Sequence, residues 1–150
     1  VGPIINIFIR HHNSIISFTN PFLNDIILKR RKNMNDFINY NKMDIINDDN
    51  DIKVKVMITE ETLNPFNIVH GGLIFSIGDT AMGVKCRSLG RDAFTLNSSI
   101  NFISPGTGKY LIATSRIIKN GSKTCVLDCE IKNDKNKLVA TMSGTYFYVN

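Results

Sequence analysis

The sequence predicts an α+β fold in which one sheet curls around one long helix. Three observations lead there. "VKVMIT", from Val54, alternates briefly between apolar and polar residues, as a half-buried strand does. "NIVHGGLIFSIGDTAMG", Asn67 to Gly83, is almost wholly apolar or glycine and runs helical to about Arg87. Four further strand-like runs with turn signals between them fill the remainder, so the order is strand, helix, then four consecutive antiparallel strands. A hydrophobic helix in such company has to be covered, and a sheet bent around it is the simplest cover. With 150 residues, 43% of them hydrophobic, the chain holds one core of this kind rather than two.

Taken in order, residues 1–53 form an N-terminal extension. Phe22, Leu23, Ile26 and Ile27, then Phe37 and Ile38, are spaced as in one or two short amphipathic helices, and the basic run Lys29 to Lys32 suits a solvated helix end. "NDDND" is a loop. Residues 54–150 form the folded domain. After its first strand, "ETLNPFN" with Pro65 is a loop that leads into the helix. Beyond "LGRD", "AFTLNSSINFI" places Phe94, Leu96, Ile100 and Phe102 on one face and Thr95, Asn97, Ser99 and Asn101 on the other. "SPGTGK" turns into the strand "YLIATSRIIK", and "NGS" is a hairpin in which Asn120 and Gly121 suit positive φ. "KTCVLDCEIKN" sets Leu127, Cys129 and Ile131 against Asp128 and Glu130, "DKNK" turns the chain, and "LVATMSGTYFYV" closes it.

Basic residues outnumber acidic ones 18 to 13, a net charge of +5, but they are not gathered into one run, which leaves nucleic acid unsupported as a partner. No apolar stretch approaches the ~18 to 20 residues that span a bilayer, so a soluble protein is expected. "IINIFIRHHNSIISFTNPF" precedes the first acidic residue, Asp25, yet one Arg and two His make a poor transit peptide. The expected setting is intracellular: cytoplasmic, or failing that a mitochondrion or another organelle. Cys86, Cys125 and Cys129 form no CxxC or Cys/His cluster, and on a strand the last two lie about 13 Å apart at ~3.3 Å per residue, too far for a disulfide or a shared metal. Reduced structural thiols, no metal and no cofactor are expected.

Two features of the helix raise questions of chemistry. Gly71 and Gly72 open it, at roughly 1 kcal/mol each relative to alanine in a helix interior. Either they let the helix pack tightly on the sheet, or something approaches the backbone there. The first N–H groups of a helix lack internal partners and carry its positive dipole end, so they suit a carbonyl oxygen that turns negative in a transition state. Asp79 is the second feature. A carboxylate in apolar surroundings is costly unless paired or hydrogen-bonded, and i±3 and i±4 hold only Phe75, Ser76, Met82 and Gly83. Asp79 faces solvent or bonds Thr80 or Ser76, or it is a functional carboxylate that such neighbours orient. Gly72 and Asp79 lie on nearly one face but about 10 Å apart along the axis, at ~1.5 Å per residue. A reacting carbonyl sits about 3 Å from its donor and within reach of the base, which one chain can hardly provide. Two chains with antiparallel helices would provide it, as a C2 dimer with two composite sites.

"NPFNIVHGG", "GDTA", "TLNSSINFISP" and "NGSKT", in that order, resemble the hotdog-fold acyl-CoA thioesterases, in the branch of the phenylacetate-degradation type and the small mammalian hotdog thioesterases. The resemblance covers about Val54 to Val149. It implies a five- to six-stranded antiparallel sheet around one central helix, with homodimers that often pair into homotetramers. It also implies hydrolysis of acyl-CoA to free acid and coenzyme A. Asp79 matches the acidic residue that activates water or attacks the thioester, and Gly71 the residue whose backbone N–H polarises the carbonyl. His70 matches a histidine that orients this region, Asn64 an asparagine that positions water or substrate, and Thr95 a Ser or Thr near the attacking water. Asn67 departs from the glycine of many relatives. On this reading Gly72, Phe75 and Met82 face the acyl group with Phe66, Phe94 and Phe102 nearby, while Arg87, Arg91 and Lys123, with Lys85 and Lys119, meet the phosphates of coenzyme A.

Two rival activities fit less well. Hotdog dehydratases usually pair a histidine with a glutamate from opposing chains, whereas here Gly-Gly follows His70 and the acid is an aspartate. A non-catalytic acyl-CoA-binding module has no need of Asp79, Asn64 and Thr95 together.

Overall fold

A computed structural model of the chain describes residues 9–11, 14–16, 37–48 and 51–149. The chain divides into two compact units, Val1–Asp36 and Phe37–Asn150. In the first, strands β1 (Ile9–His11) and β2 (Ser14–Ile16) pair antiparallel. The amphipathic pattern from Phe22 to Ile27 lies outside the described residues.

The second unit opens with the single-turn helix α1 (Phe37–Tyr40) and a hairpin of β3 (Asp44–Asp48) and β4 (Asp51–Met57). The sheet therefore starts ten residues before the expected boundary at 53/54. β4 was legible because Ile52, Val54 and Val56 alternate and are buried. β3 was not, because an edge strand with exposed aspartates at both ends has the composition of a loop.

A 3₁₀ turn (Glu60–Thr62) and the loop after it lead to α2 (Gly71–Arg87), followed by β5 (Ala93–Phe102), β6 (Tyr110–Asn120), β7 (Thr124–Asn133) and β8 (Leu138–Tyr148). The six strands are antiparallel in the order β3-β4-β6-β7-β8-β5. α2 packs across β4, β5, β6, β7 and β8, the hotdog arrangement. Ile77, Ala81, Met82 and Cys86 on the helix have no exposed surface and meet a sheet face of Leu111, Leu127, Ile131 and Val139. The tightest approach is at Gly78, where a Cβ would run into the Met142 sulfur. Glycine in mid-helix thus lets the Met142 side chain lie against the helix backbone.

Three local conformations differ from simple expectation. The β6–β7 hairpin closes through three residues, 121–123, with the Gly121 N–H on the Thr124 carbonyl at 2.8 Å. Neither Asn120 nor Gly121 takes positive φ, because the longer loop does not need the primed turn of a two-residue connection. Positive φ appears instead at Asn67, at 58°. Asparagine is among the few residues that tolerate this region, so the departure from glycine keeps the loop's shape.

The third difference bears on function. β5 slips register between Thr95 and Asn97, so that Thr95 lies opposite Tyr146 while Asn97 lies opposite Thr145. A one-residue bulge exchanges the two faces of a strand. Thr95, Ile100 and Phe102 consequently share the helix side, and Phe94 stacks outward against Phe147 at 5.7 Å. Uniform alternation had separated Thr95 from Ile100 and Phe102.

Candidate active site

Asp79 sits half-buried in the middle of α2 and is hydrogen-bonded by groups from two strands. The Thr95 hydroxyl of β5 donates to Asp79 Oδ1 at 2.9 Å. The Tyr146 hydroxyl of β8 lies 2.7 Å from the same oxygen and 2.8 Å from the Asp79 main-chain carbonyl. The partners foreseen on the helix, Ser76 and Thr80, turn elsewhere: Ser76 donates to the Gly72 carbonyl and Thr80 contacts the Met43 sulfur. Asp79 Oδ2 has no hydrogen-bond partner among the described residues. Tyr146 escaped the sequence reading, although one signal was available. A tyrosine on the buried face of a strand carries a hydroxyl that must find a partner, and Asp79 was the polar group still lacking one.

One end of α2 is prepared differently. His70 caps it: its Nδ1 accepts the Gly72 N–H at 3.0 Å, and its carbonyl accepts from Leu73 and Ile74. The His70 N–H itself donates to the Thr62 carbonyl at 2.9 Å. Of the N–H groups in this first turn, that of Gly71 is left without a partner among the described residues. A Cβ on Gly71 would stand 3.2 Å from the tip of the exposed Phe102 ring, so the approach to this N–H runs beside an aromatic wall. Asn64 shapes the preceding loop, its Oδ1 accepting from the N–H groups of Phe66 at 2.9 Å and Ile68 at 3.4 Å. The eight residues from Gly71 to Asp79 correspond to about 12 Å of helix at ~1.5 Å per residue. Within one chain, the Asp79 carboxylate and the Gly71 N–H remain apart.

The expected substrate contacts divide. Phe75 is half-buried against the core, and Phe66 is exposed on the loop. Met82, expected at the acyl group, is a core residue with no exposed surface, because its face of the helix is turned to Gly144 on β8. Arg87 Nε donates to the Ala93 carbonyl at 3.3 Å. Arg91 lies on the Tyr148 ring at 3.7 Å and donates to the Gly121 and Ser122 carbonyls at 3.4 and 2.6 Å, bracing the turn that carries the exposed Lys123. All three cysteines are free and buried, and burial pushes the Cys86 and Cys129 thiols up to about 12, so they remain protonated. No group of three or more potential metal ligands occurs among the described residues, and none of their helices is long and apolar enough to cross a membrane. A groove of about 400 Å³, with Arg116, Asp128 and Glu130 in its walls, contains no expected site residue.

Comparison with known proteins places the chain in a family. The family model described as the thioesterase superfamily matches residues 66–140. The acyl-coenzyme A thioesterase PaaI of Escherichia coli is 38% identical over 68% of this chain and 74% of its own. Its solved structure superposes with a TM-score of 0.76 over 85% of this chain and 92% of that one, at 29% identity. A putative esterase of Archaeoglobus fulgidus is 36% identical over 65% of this chain, and the match spans 64% of that protein's length. A hypothetical thioesterase of Streptococcus pneumoniae, solved with coenzyme A, is 30% identical with a TM-score of 0.66 over 72% of this chain and 89% of its own. That protein has also been solved as alanine variants of an aspartate and of a threonine sixteen positions apart. The chain belongs to the thioesterase superfamily.

Proposed function

We propose that the protein hydrolyses acyl-CoA thioesters to a free acid and coenzyme A. The observation that carries the proposal is Asp79, a carboxylate set in an apolar helix with two hydroxyl groups on one oxygen and the other oxygen without a partner among the described residues. The aspartate and threonine altered in the pneumococcal thioesterase have the spacing of Asp79 and Thr95, and that protein was solved with coenzyme A. Asp79 takes a proton from water as the water oxygen bonds to the thioester carbon, and the carbonyl electron pair moves onto its oxygen. The Gly71 N–H receives that oxygen's charge at the positive end of α2. Collapse breaks the carbon–sulfur bond; the thiolate leaves and takes the proton from Asp79, giving acid and thiol. His70 and Asn64 hold the loop and first turn in position, and Thr95 orients the carboxylate.

Because Gly71 and Asp79 of one chain lie too far apart, the site forms between two copies. β5 is an edge strand of ten residues whose outer edge pairs with no other strand among the described residues, and Leu96, Phe102 and the following Ile103 are exposed on it. Such an edge invites another strand. Antiparallel pairing of two β5 edges about a two-fold axis sets the helices antiparallel, with Asp79 of one copy towards Gly71 of the other, and two dimers can pair again as a tetramer. Lys123 and Arg91 stand at one end of the sheet for the phosphates of coenzyme A.

The test is thiol release from acyl-CoA esters of graded chain length and one aromatic ester, with wild type and Asp79→Asn run together. Hydrolysis lost in the variant is expected. Tight acyl-CoA binding with no thiol released by the wild type would replace this reading with a binding module.

A further inference from the structure

The thioesterase chemistry leaves one partner of Asp79, Tyr146, without a role, and the role inferred for it rests on that chemistry. The Tyr146 ring is 1% exposed and slotted between two glycines: a Cβ on Gly83 of α2 would lie 3.4 Å from it, and one on Gly144 of β8 3.1 Å. A side chain on Gly144 would press on the ring and one on Gly83 would just touch it, so the ring is closely held from both sides. The slot delivers one polar atom, the hydroxyl, to Asp79 Oδ1 at 2.7 Å. A phenol has a single proton to give, and between the carboxylate oxygen and the main-chain carbonyl at 2.8 Å the charged acceptor makes the stronger bond. Thr95, brought to the helix side by the β5 bulge, donates to the same oxygen from the exposed side at 2.9 Å. Both donors therefore converge on Oδ1.

We propose that Tyr146 is a positioning residue that, with Thr95, pins Asp79 Oδ1 and so presents Oδ2 as the oxygen that takes the proton from water. Tyr146 is too deeply buried to touch a substrate, and acts through Asp79 alone. Burial, and then the charge of Asp79, push its phenol above the ordinary tyrosine range, which keeps the donor protonated wherever Asp79 is ionised and working. The slot fixes the ring and the ring fixes the carboxylate, so the rotamer of Asp79 is set before substrate arrives.

The experiment measures kcat and KM on the best acyl-CoA ester for wild type, Asp79→Asn, Tyr146→Phe and a chain with a ring-fluorinated tyrosine at position 146 alone. Tyr146→Phe keeps the ring in its slot and removes the donor. The expected result is a kcat about tenfold or more below wild type with KM unchanged. The fluorinated tyrosine keeps ring and donor but has a more acidic phenol, so it decides the matter even if the phenylalanine chain fails to fold. Its kcat should fall as pH rises through the ionisation of that residue, followed by its own ¹⁹F resonance, while the wild type holds its rate. A Tyr146→Phe kcat within twofold of wild type, a change confined to KM, or a fluorinated chain that keeps its rate after the phenol ionises would each overturn the inference. Full activity in Asp79→Asn would instead bring down the thioesterase assignment of Asp79, and this inference with it.

Discussion

The two ends of the proposed chemistry lie on one helix and are built by opposite means. At Gly71 the useful group is a main-chain N–H, and what prepares it is subtraction: no side chain beside the Phe102 ring, and no capping partner among the described residues. At Asp79 the useful group is a side chain, and what prepares it is addition, with Thr95 from 16 residues away and Tyr146 from 67. A backbone donor needs only space and a helix end, both local properties of the chain. A carboxylate on an apolar helix needs partners, and here the sheet supplies them.

The largest effect is expected at the assembled end. Asp79→Ala removes the proposed base and should lower kcat by about 10² to 10⁴, the range in which general base catalysis contributes, while thermal unfolding and size by light scattering stay as in the wild type. An unchanged kcat would leave the helix with no chemistry at its centre.

Gly71→Pro tests the other end without disturbing the helix. Proline is favoured at the first helical position, and His70, at φ −58° and ψ 130°, already has the backbone that a following proline requires. The substitution removes the free N–H and should lower kcat by about 10² to 10³, as loss of one oxyanion donor does. Gly71→Ala is the control: it brings a Cβ to the same 3.2 Å from Phe102 but keeps the N–H, and should lose only severalfold. Equal losses from Ala and Pro would mean that crowding, and not the donor, is what matters there.

Mixing the two inactive chains joins the ends again. Asp79→Asn and Gly71→Pro, denatured together and refolded, should recover up to about a quarter of wild-type activity if the site spans two copies, because half of the chains then sit in mixed dimers with one intact site each. No recovery in a mixture shown by mass spectrometry to contain mixed dimers would confine the site to a single chain.

Legibility in the sequence divides along the same line. Gly71, Gly72 and the lone charge of Asp79 were visible because helix starts and misplaced carboxylates are read from a few neighbouring residues, and α2 runs as its apolar pattern implied. Thr95 was reached through resemblance and placed on the wrong face, since the bulge that turns it inward depends on pairing with β8. Tyr146 was missed altogether: nothing near Asp79 in the chain points 67 residues ahead. β3 was missed for a related reason, its strand character arising from pairing with β4 and not from its own alternation. Met82 was set beside the acyl group through resemblance, but what covers a helix face is decided by the strand packed on it, here β8 at Gly144.

The smallest effect is expected at His70, where local and assembled construction meet. Its Nδ1 accepts the Gly72 N–H and so leaves, in the first turn, the Gly71 N–H without a partner among the described residues. His70→Ala frees a second donor and removes a cap, which should cost about 1 kcal/mol in denaturant unfolding and no more than severalfold in kcat. Asparagine is among the best capping residues and carries an acceptor oxygen, so His70→Asn should restore both stability and rate. Recovery of stability without recovery of rate would place the imidazole itself among the reacting groups, and the helix start would then be assembled from a side chain just as its centre is.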